Sequence, residues 1–446
     1  MPETKNIQRS LDLALRVGEM LLSNGAGAAD VTATMSSICQ YLGLRGVQVD
    51  VTFTTLTTTY DAGVEEPTIT LRRMVTHREN DYADLTSVDH LVSDLLNDVI
   101  DRDEAAARVL QLSSSGHPYP RWAITLGWAV TAAGVAILLG GDWIVMVLAA
   151  ASGAIIEILQ RRLERFRLPF FYSQVAGGLV ATTLAVGVAA TPVSINPSLV
   201  VTSSIIMLLA GLGWIGAFQD ALTGFYLTAN ARILEVMFAT TGIIVGVSVG
   251  LSLGRSLGVD VLVDPDITGG LANLPAAAIG SGITAAGFAF SAYSPWRILA
   301  PIAVIGGIAG GISFVLSHAD FHRAAATGVA AFVVGLVAYA VAGRFRVPPL
   351  VIVTSGIVPL LPGLSIYTSL TLLAAENFTG IVAMITAVAV AVLLSAGVIL
   401  GEYVAQPLQR EARRLERRLA GPRLVGPIRI RHARRARRER EGNRDA

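Results

Sequence analysis

From residue 122 to residue 404 the chain is almost free of charge, whereas residues 1–118 are charged at an ordinary density and residues 408–440 are crowded with arginine. A helix needs about 20 apolar residues to cross a bilayer, and this stretch is long enough to cross many times. The predicted fold is a polytopic α-helical membrane protein with a small cytoplasmic N-terminal α+β domain and a basic tail. The composition agrees: 15% of the 446 residues are charged, against about 25% in an ordinary soluble protein. The net charge of +1 averages three unlike regions. Cys39 is the single cysteine, so an intrachain disulfide and thiolate-built metal sites are excluded. The first twenty residues lack a continuous apolar run and do not read as a cleaved signal peptide.

The front end carries helical spacing from Ile7 to Leu22, closed by Gly25, and a second helix over 28–42 that stops at Gly43. Val47, Val49, Val51 and Phe53 alternate with polar residues as in a half-buried strand. The DAG at 61–63 signals a turn, with Ile69 and Leu71 on a partner strand. Val88, Leu91, Val92, Leu95 and Val99 mark a further amphipathic helix, and Gly116, Pro118 and Pro120 a linker. Asp50, Asp61, His77, Asp81 and Asp84 are candidate acids and bases, but their spacing matches no metal or triad motif. A sensing, gating or assembly role fits this domain better than catalysis.

Ten spans are expected, at roughly 122–141, 143–160, 169–191, 197–216, 233–254, 273–292, 298–317, 324–342, 347–366 and 380–404. With the N-terminus inside, the inner loops hold Arg161, Arg162, Arg165, Arg167, Arg232, Arg297, Arg344 and Arg346, and the outer loops only Arg255 and Arg323. That asymmetry follows the positive-inside rule and leaves the basic tail inside, on anionic lipid rather than on nucleic acid.

Two segments repeat. VTSSIIMLLAGLGWIGAFQDALTG (201–224) aligns with VTSGIVPLLPGLSIYTSLTLLAAE (353–376), each in the fourth of five spans. An odd number of spans per copy forces opposite orientations, the inverted-repeat plan of secondary transporters. The repeats run over 119–260 and 261–404, between the domain 1–118 and the tail 405–446. Pro359, Pro362, Gly356 and Gly363 break the second copy within apolar sequence. Such breaks are tolerated where backbone is buried in protein or lines a watery cavity. Substrate is therefore expected between Leu209–Gly216 and Pro359–Thr368, at Gly211, Gly213, Pro359, Pro362, Gly363, Ser365, Tyr367 and Thr368. Asp220, Arg232 and Glu235 form a predicted charged cluster at the inner mouth, with a carboxylate there as proton carrier. Glu157 is a weaker candidate, one turn from Arg161. Glycines at 242, 246, 250 and 254 read as helix packing.

The motifs SGIVPLLPG (355–363), FQDALTGFYLTANARILEVMF (218–238) and LLSNGAGAADVTATMSSICQYLG (21–43) stand in the order of the threonine/serine exporter family, which the chain resembles over nearly its whole length. The resemblance implies a multi-pass bacterial plasma-membrane exporter of L-threonine and L-serine, driven by the proton motive force, with both termini cytoplasmic. Its partners would be the amino acid, protons and the bilayer, with a homo-oligomer allowed and no cofactor. Two-subunit relatives are associated with export of dicarboxylates such as succinate, and a hydrolase-like role has been suggested for the family's cytoplasmic domain. The first copy has LLAG where a proline form is expected, so its break should be milder. A passive channel and an enzyme are the contrasting classes; the spans contain neither GxSG nor GxGD, which counts against an intramembrane protease.

Overall fold

The computed structural model describes residues 2–61, 67–75, 78–114, 116–191, 196–205, 208, 210–259, 271–319, 321–363, 365–366, 369, 372 and 377–419. The N-terminal part has helices α1 (Pro2–Ser23) and α2 (Ala28–Tyr41), then strands β1 (Gln48–Val51), β2 (Thr55–Tyr60) and β3 (Ile69–Met74), then helices α3 (Tyr82–Leu96) and α4 (Arg102–Ser114). Gly25 and Gly43 take φ of +93° and +87° past the ends of α1 and α2, the left-handed geometry that ends a helix. The sheet is antiparallel in the order β1-β2-β3, with Val51 opposite Leu56 and Thr58 opposite Leu71. Its central strand, TLTTTY, lacks apolar alternation, and β-branched threonines hold it extended instead. Asp81 caps α3, accepting from the Ala83 and Asp84 amides at 2.9 Å. The helix stops at Leu96, because Asp98 turns left-handed with φ +60°, so Val99 lies outside the helix on which its spacing had placed it.

The bundle begins with α5 (Arg121–Leu138), α6 (Trp143–Arg165) and α7 (Phe170–Ala189). A two-piece segment comes next, α8 (Pro197–Ile205) and α9 (Ala210–Leu222), and then α10 (Tyr226–Ser256). The second half has α11 (Leu274–Ser291), α12 (Trp296–His318), α13 (Arg323–Phe345), α14 (Pro349–Ile357) running into a 3-10 turn at Val358–Leu360, and α15 (Thr379–Leu419). Among the described residues eight helices are long and apolar enough to cross a membrane: α5, α6, α7, α10, α11, α12, α13 and α15. The sequence segments 197–216 and 347–366 are each broken. Helix α10 starts at Tyr226 rather than 233, so Arg232 stands on a helix and not in a loop.

Small residues reveal the helix directions. A Cβ at Gly127, Gly134 or Gly287 would lie 3.1 Å from the Ser291 nitrogen, 2.6 Å from the Thr284 nitrogen and 2.9 Å from the Thr131 nitrogen. Helices α5 and α11 therefore run antiparallel in close contact. Against α7, Cβ atoms at Gly242, Gly250 and Gly254 would meet Gln174, Thr182 and Val186 within 3 Å, so α7 and α10 run parallel. Helices α13 and α15 are parallel too, since Gly328 faces Leu393 and Gly401 faces Leu336. Parallel neighbours require the intervening chain to travel back along the bundle. The two broken segments make those return journeys.

The N-terminal part sits on one end of the bundle. The Tyr82 amide donates to the Ala292 carbonyl at 2.9 Å, and its hydroxyl lies 2.7 Å from the Thr354 hydroxyl. Tyr119 donates to the Ser294 carbonyl at 3.1 Å, and His90 Nε2 lies 2.9 Å from the Arg346 carbonyl. The Tyr82 ring meets Phe288 edge-on at 6.2 Å, and one apolar core runs from Leu11 and Met35 through to Val351 and Val398.

Candidate functional site

Helix α9 ends at Leu222, Gly224 turns the chain at φ +92°, and α10 starts two residues later. That tight return brings Arg232 back onto α9. Its Nε lies 3.1 Å from Asp220 Oδ2, with the two side chains only 13% and 2% exposed. Gly216 makes the approach feasible, because a Cβ there would lie 2.5 Å from Arg232 Nη1. The other carboxylate oxygen, Asp220 Oδ1, accepts from the amide of Ala28 at 3.1 Å. Ala28 opens α2, and Gly27 before it has no side chain to cap that helix. Asp220 thus caps α2 from 192 positions away, placing negative charge at the positive helix end. Near the start of α10, Thr228 donates to the Val51 carbonyl at 3.2 Å, at the end of β1. Arg78, stacked 3.7 Å over the Phe53 ring, completes the wall. Burial, then the neighbouring Arg232 charge, lower its guanidinium to about 10, with Glu235 and Asp220 pulling upward.

A cavity of about 1450 Å³ opens between this junction and the bundle. Its inner wall includes Gln174, Leu208, Leu212, Gly213 and Ile357, so it reaches both broken segments. Its charged lining includes Asp30, Asp220, Arg232, Glu235 and Glu402. Asp30 is an exposed residue on the cavity lining whose carboxyl is partly desolvated by the protein around it. That desolvation, and secondarily the Asp220 charge, hold its carboxyl above the ordinary carboxylate range. Gln174 is 1% exposed, and its Oε1 has no hydrogen-bond partner.

The structure brings Asp220 and Arg232 together and places Glu235 on the same wall. Gly213 borders the cavity, and Gly211 lies beside it in the first turn of α9. Pro359 stands in the 3-10 turn, Pro362 is buried, Gly363 is half-buried and Ser365 is 9% exposed. None of these four borders this cavity, and Tyr367 and Thr368 lie outside the described residues. Glu157 pairs with Arg161 at 3.2 Å and accepts from Thr125 at 2.6 Å. In the front end, Asp81 holds the Ala83 and Asp84 amides and lies 2.8 Å from His117, while Asp50 sits on β1; His77 is outside the described residues. Asp30, Arg78 and Gln174 were not singled out by their sequence. Gln174 alone left a signal there, as an amide inside an apolar span.

The threonine/serine exporter family model matches residues 12–254, and a second model, of threonine/serine exporter ThrE, matches residues 277–404. A Mycobacterium tuberculosis protein named "Probable threonine/serine exporter" is 36% identical over 416 residues, 92% of this chain and 78% of that protein. A threonine/serine exporter of Corynebacterium glutamicum is 32% identical over 414 residues, 90% of this chain and 84% of that one. No solved structure matches the chain.

Proposed function

The chain belongs to the threonine/serine exporter family, and on that premise we propose that it is a secondary active exporter of L-threonine and L-serine in the bacterial plasma membrane, driven by the proton motive force. One observation carries the reading: a single cavity joins the charged junction at Asp220 to both broken segments. A zwitterion needs donors at one end and acceptors at the other. The first turn of α9, at Gly211 and Gly213, supplies amides without intrahelical acceptors for the carboxylate. Carboxylates on the cavity lining suit an ammonium group.

Ten spans in two inverted repeats of five account for the geometry. Corresponding helices α5 and α11 have 18 residues each, α6 and α12 have 23 each, and α8 and α14 have 9 each. The antiparallel α5–α11 pair and the two parallel pairs suit that plan. The N-terminal part rests on the end of the bundle that carries Arg297, Arg344 and Arg346, the cytoplasmic face by the positive-inside rule. The cavity then opens inward. In this reading the second break, at Pro359, Pro362, Gly363, Ser365, Tyr367 and Thr368, contacts substrate during the outward half of the cycle.

Proton binding has a mechanical outlet at this junction. A proton on Asp220 removes the charge that holds both Arg232 and the amino end of α2, and Glu235 stands nearby to pass the proton on. The test is purified protein in liposomes, assayed for threonine, serine and succinate with and without an imposed pH gradient. Gradient-driven uptake of threonine and serine is the expected result. Succinate transport in their place would reassign the substrate, and exclusively downhill flux would make the protein a channel. Asp220→Asn should stop gradient-driven transport while leaving the protein inserted. Full gradient response in both Asp220→Asn and Glu235→Gln would remove these residues from proton coupling.

A further inference from the structure

Helix α7 contains one amide, and its environment is unlike that of the hydroxyls around it. Thr182 and Thr183 turn back on their own helix and donate to the Gly178 and Leu179 carbonyls at 2.8 Å. A carbonyl oxygen has no such retreat, because helix carbonyls are acceptors too. Gln174 Oε1 is buried at 1% residue exposure with no donor, on the wall of the cavity. Gly242 on α10 leaves the room its side chain occupies, since a Cβ there would lie 2.9 Å from Gln174 Cβ. One turn along α7, Gly177 receives the side chain of Leu208, the residue at the first break. Gln174 thus lines the same cavity as Leu212 and Gly213 in the first turn of α9, where the export reading puts the substrate carboxylate.

We propose that Gln174 recognises the hydroxyl group of the transported amino acid and is the specificity-determining side chain of the site; this rests on the export reading above. The chemistry favours a hydroxyl over the ammonium. A buried cation calls for an opposite charge, which the neutral Gln174 side chain lacks and which carboxylates elsewhere on the lining, among them Glu157, Asp220, Glu235 and Glu402, can supply. Leu208, Leu212 and Gly213, the lining residues at the first break, carry no charge. A neutral hydroxyl matches a neutral amide at both atoms. It donates its proton to Oε1 and accepts from Nε2–H. The corresponding position in the second half, counting from the starts of α7 and α13, is Thr327, whose hydroxyl is occupied by the Arg323 carbonyl at 2.8 Å. Recognition is thus confined to one half.

The experiment uses full-length protein in liposomes, with unlabelled threonine, serine and alanine competing against labelled threonine, and thermal unfolding of the substrate-free protein in detergent. In Gln174→Leu, threonine and serine should lose roughly ten- to a hundredfold in apparent affinity and fall to the level of alanine, which should not change. The melting temperature should stay level or rise, because the variant no longer buries an unpaired acceptor. Unchanged preference for threonine over alanine overturns the proposal. So does an equal loss for all three amino acids accompanied by a lower melting temperature, the mark of a packing role. A wild-type protein that carries neither threonine nor serine overturns the export reading itself, a result separable from any effect of the variant.

Discussion

Helices α8 and α14 begin on Pro197 and Pro349, end on Ile205 and Ile357, and lie 152 positions apart at both ends, but the chain continues differently beyond each of them. After α8 it resumes as a 13-residue helix whose first turns line the cavity and whose last turn carries Asp220. After α14 it tightens into a 3-10 turn with Leu360, Leu361 and Pro362 all buried. The charges differ as well. Counting on by 152 or 153 positions from Asp220, Arg232 and Glu235 leads to Leu372, Ile385 and Val388. The two segments share helix ends and spacing, and the Asp220–Arg232 pair stands on the first without a charged counterpart at Leu372 and Ile385.

The strongest way to break this comparison is to remove the Asp220 charge, which has no counterpart at Leu372. Asp220→Leu leaves Arg232 uncompensated and α2 uncapped, so stability should fall by roughly 3–5 kcal/mol and export should cease. A change at the position that corresponds to Arg232, Ile385→Ala at a 64% exposed site, should stay within about 0.5 kcal/mol by thermal unfolding in detergent. Next in size is Pro362→Ala, which lets the helix re-form across the second break. Export should drop to background in liposomes while the melting temperature holds or rises. Retained export there would mean that the second break is not needed.

Smaller effects sharpen the contrast. Gly216→Ala pushes against the Arg232 guanidinium, the mobile end of a long side chain, so export should fall several-fold with a stability change below about 1 kcal/mol. Asp30→Asn tests the first half's link to the N-terminal part through pH. A carboxyl held above 3.8 resists ionisation in the folded state, a penalty present above its raised value and relieved as pH falls. The variant should therefore melt higher than wild type at pH 8, with the difference gone near pH 4. An equal difference at both pH values would remove Asp30 from the linkage. The mildest change is Ala210→Pro, which gives the first half the LLPG of the second. Ala210 is the first residue of α9, where proline is tolerated, so export should remain within about twofold.

Much of the bundle was legible because the bilayer demands long apolar helices, and proline and glycine mark their breaks locally. Gly25 and Gly43 likewise announce the ends of α1 and α2. Helix α4 and the threonine strand β2 escaped notice, the first for want of a strong apolar face and the second for want of alternation. The charged cluster was legible as three residues close in sequence. Its most informative contact was not, since nothing near Ala28 specifies a cap contributed by Asp220. Local patterns report what a segment prefers, and a bond across 192 positions is set by tertiary packing alone.

That bond also orders events at the ribosome. Synthesis delivers α2 long before α9, so for most of the intervening time the amino end of α2 has no carboxylate to receive its first amide. Tyr82 waits longer still, for Ala292 and Thr354. Domains usually mature in the order in which they are made. Here the segments translated first reach their final seating after membrane insertion is nearly complete, and a chain truncated before Ala292 lacks the surface on which its own beginning rests.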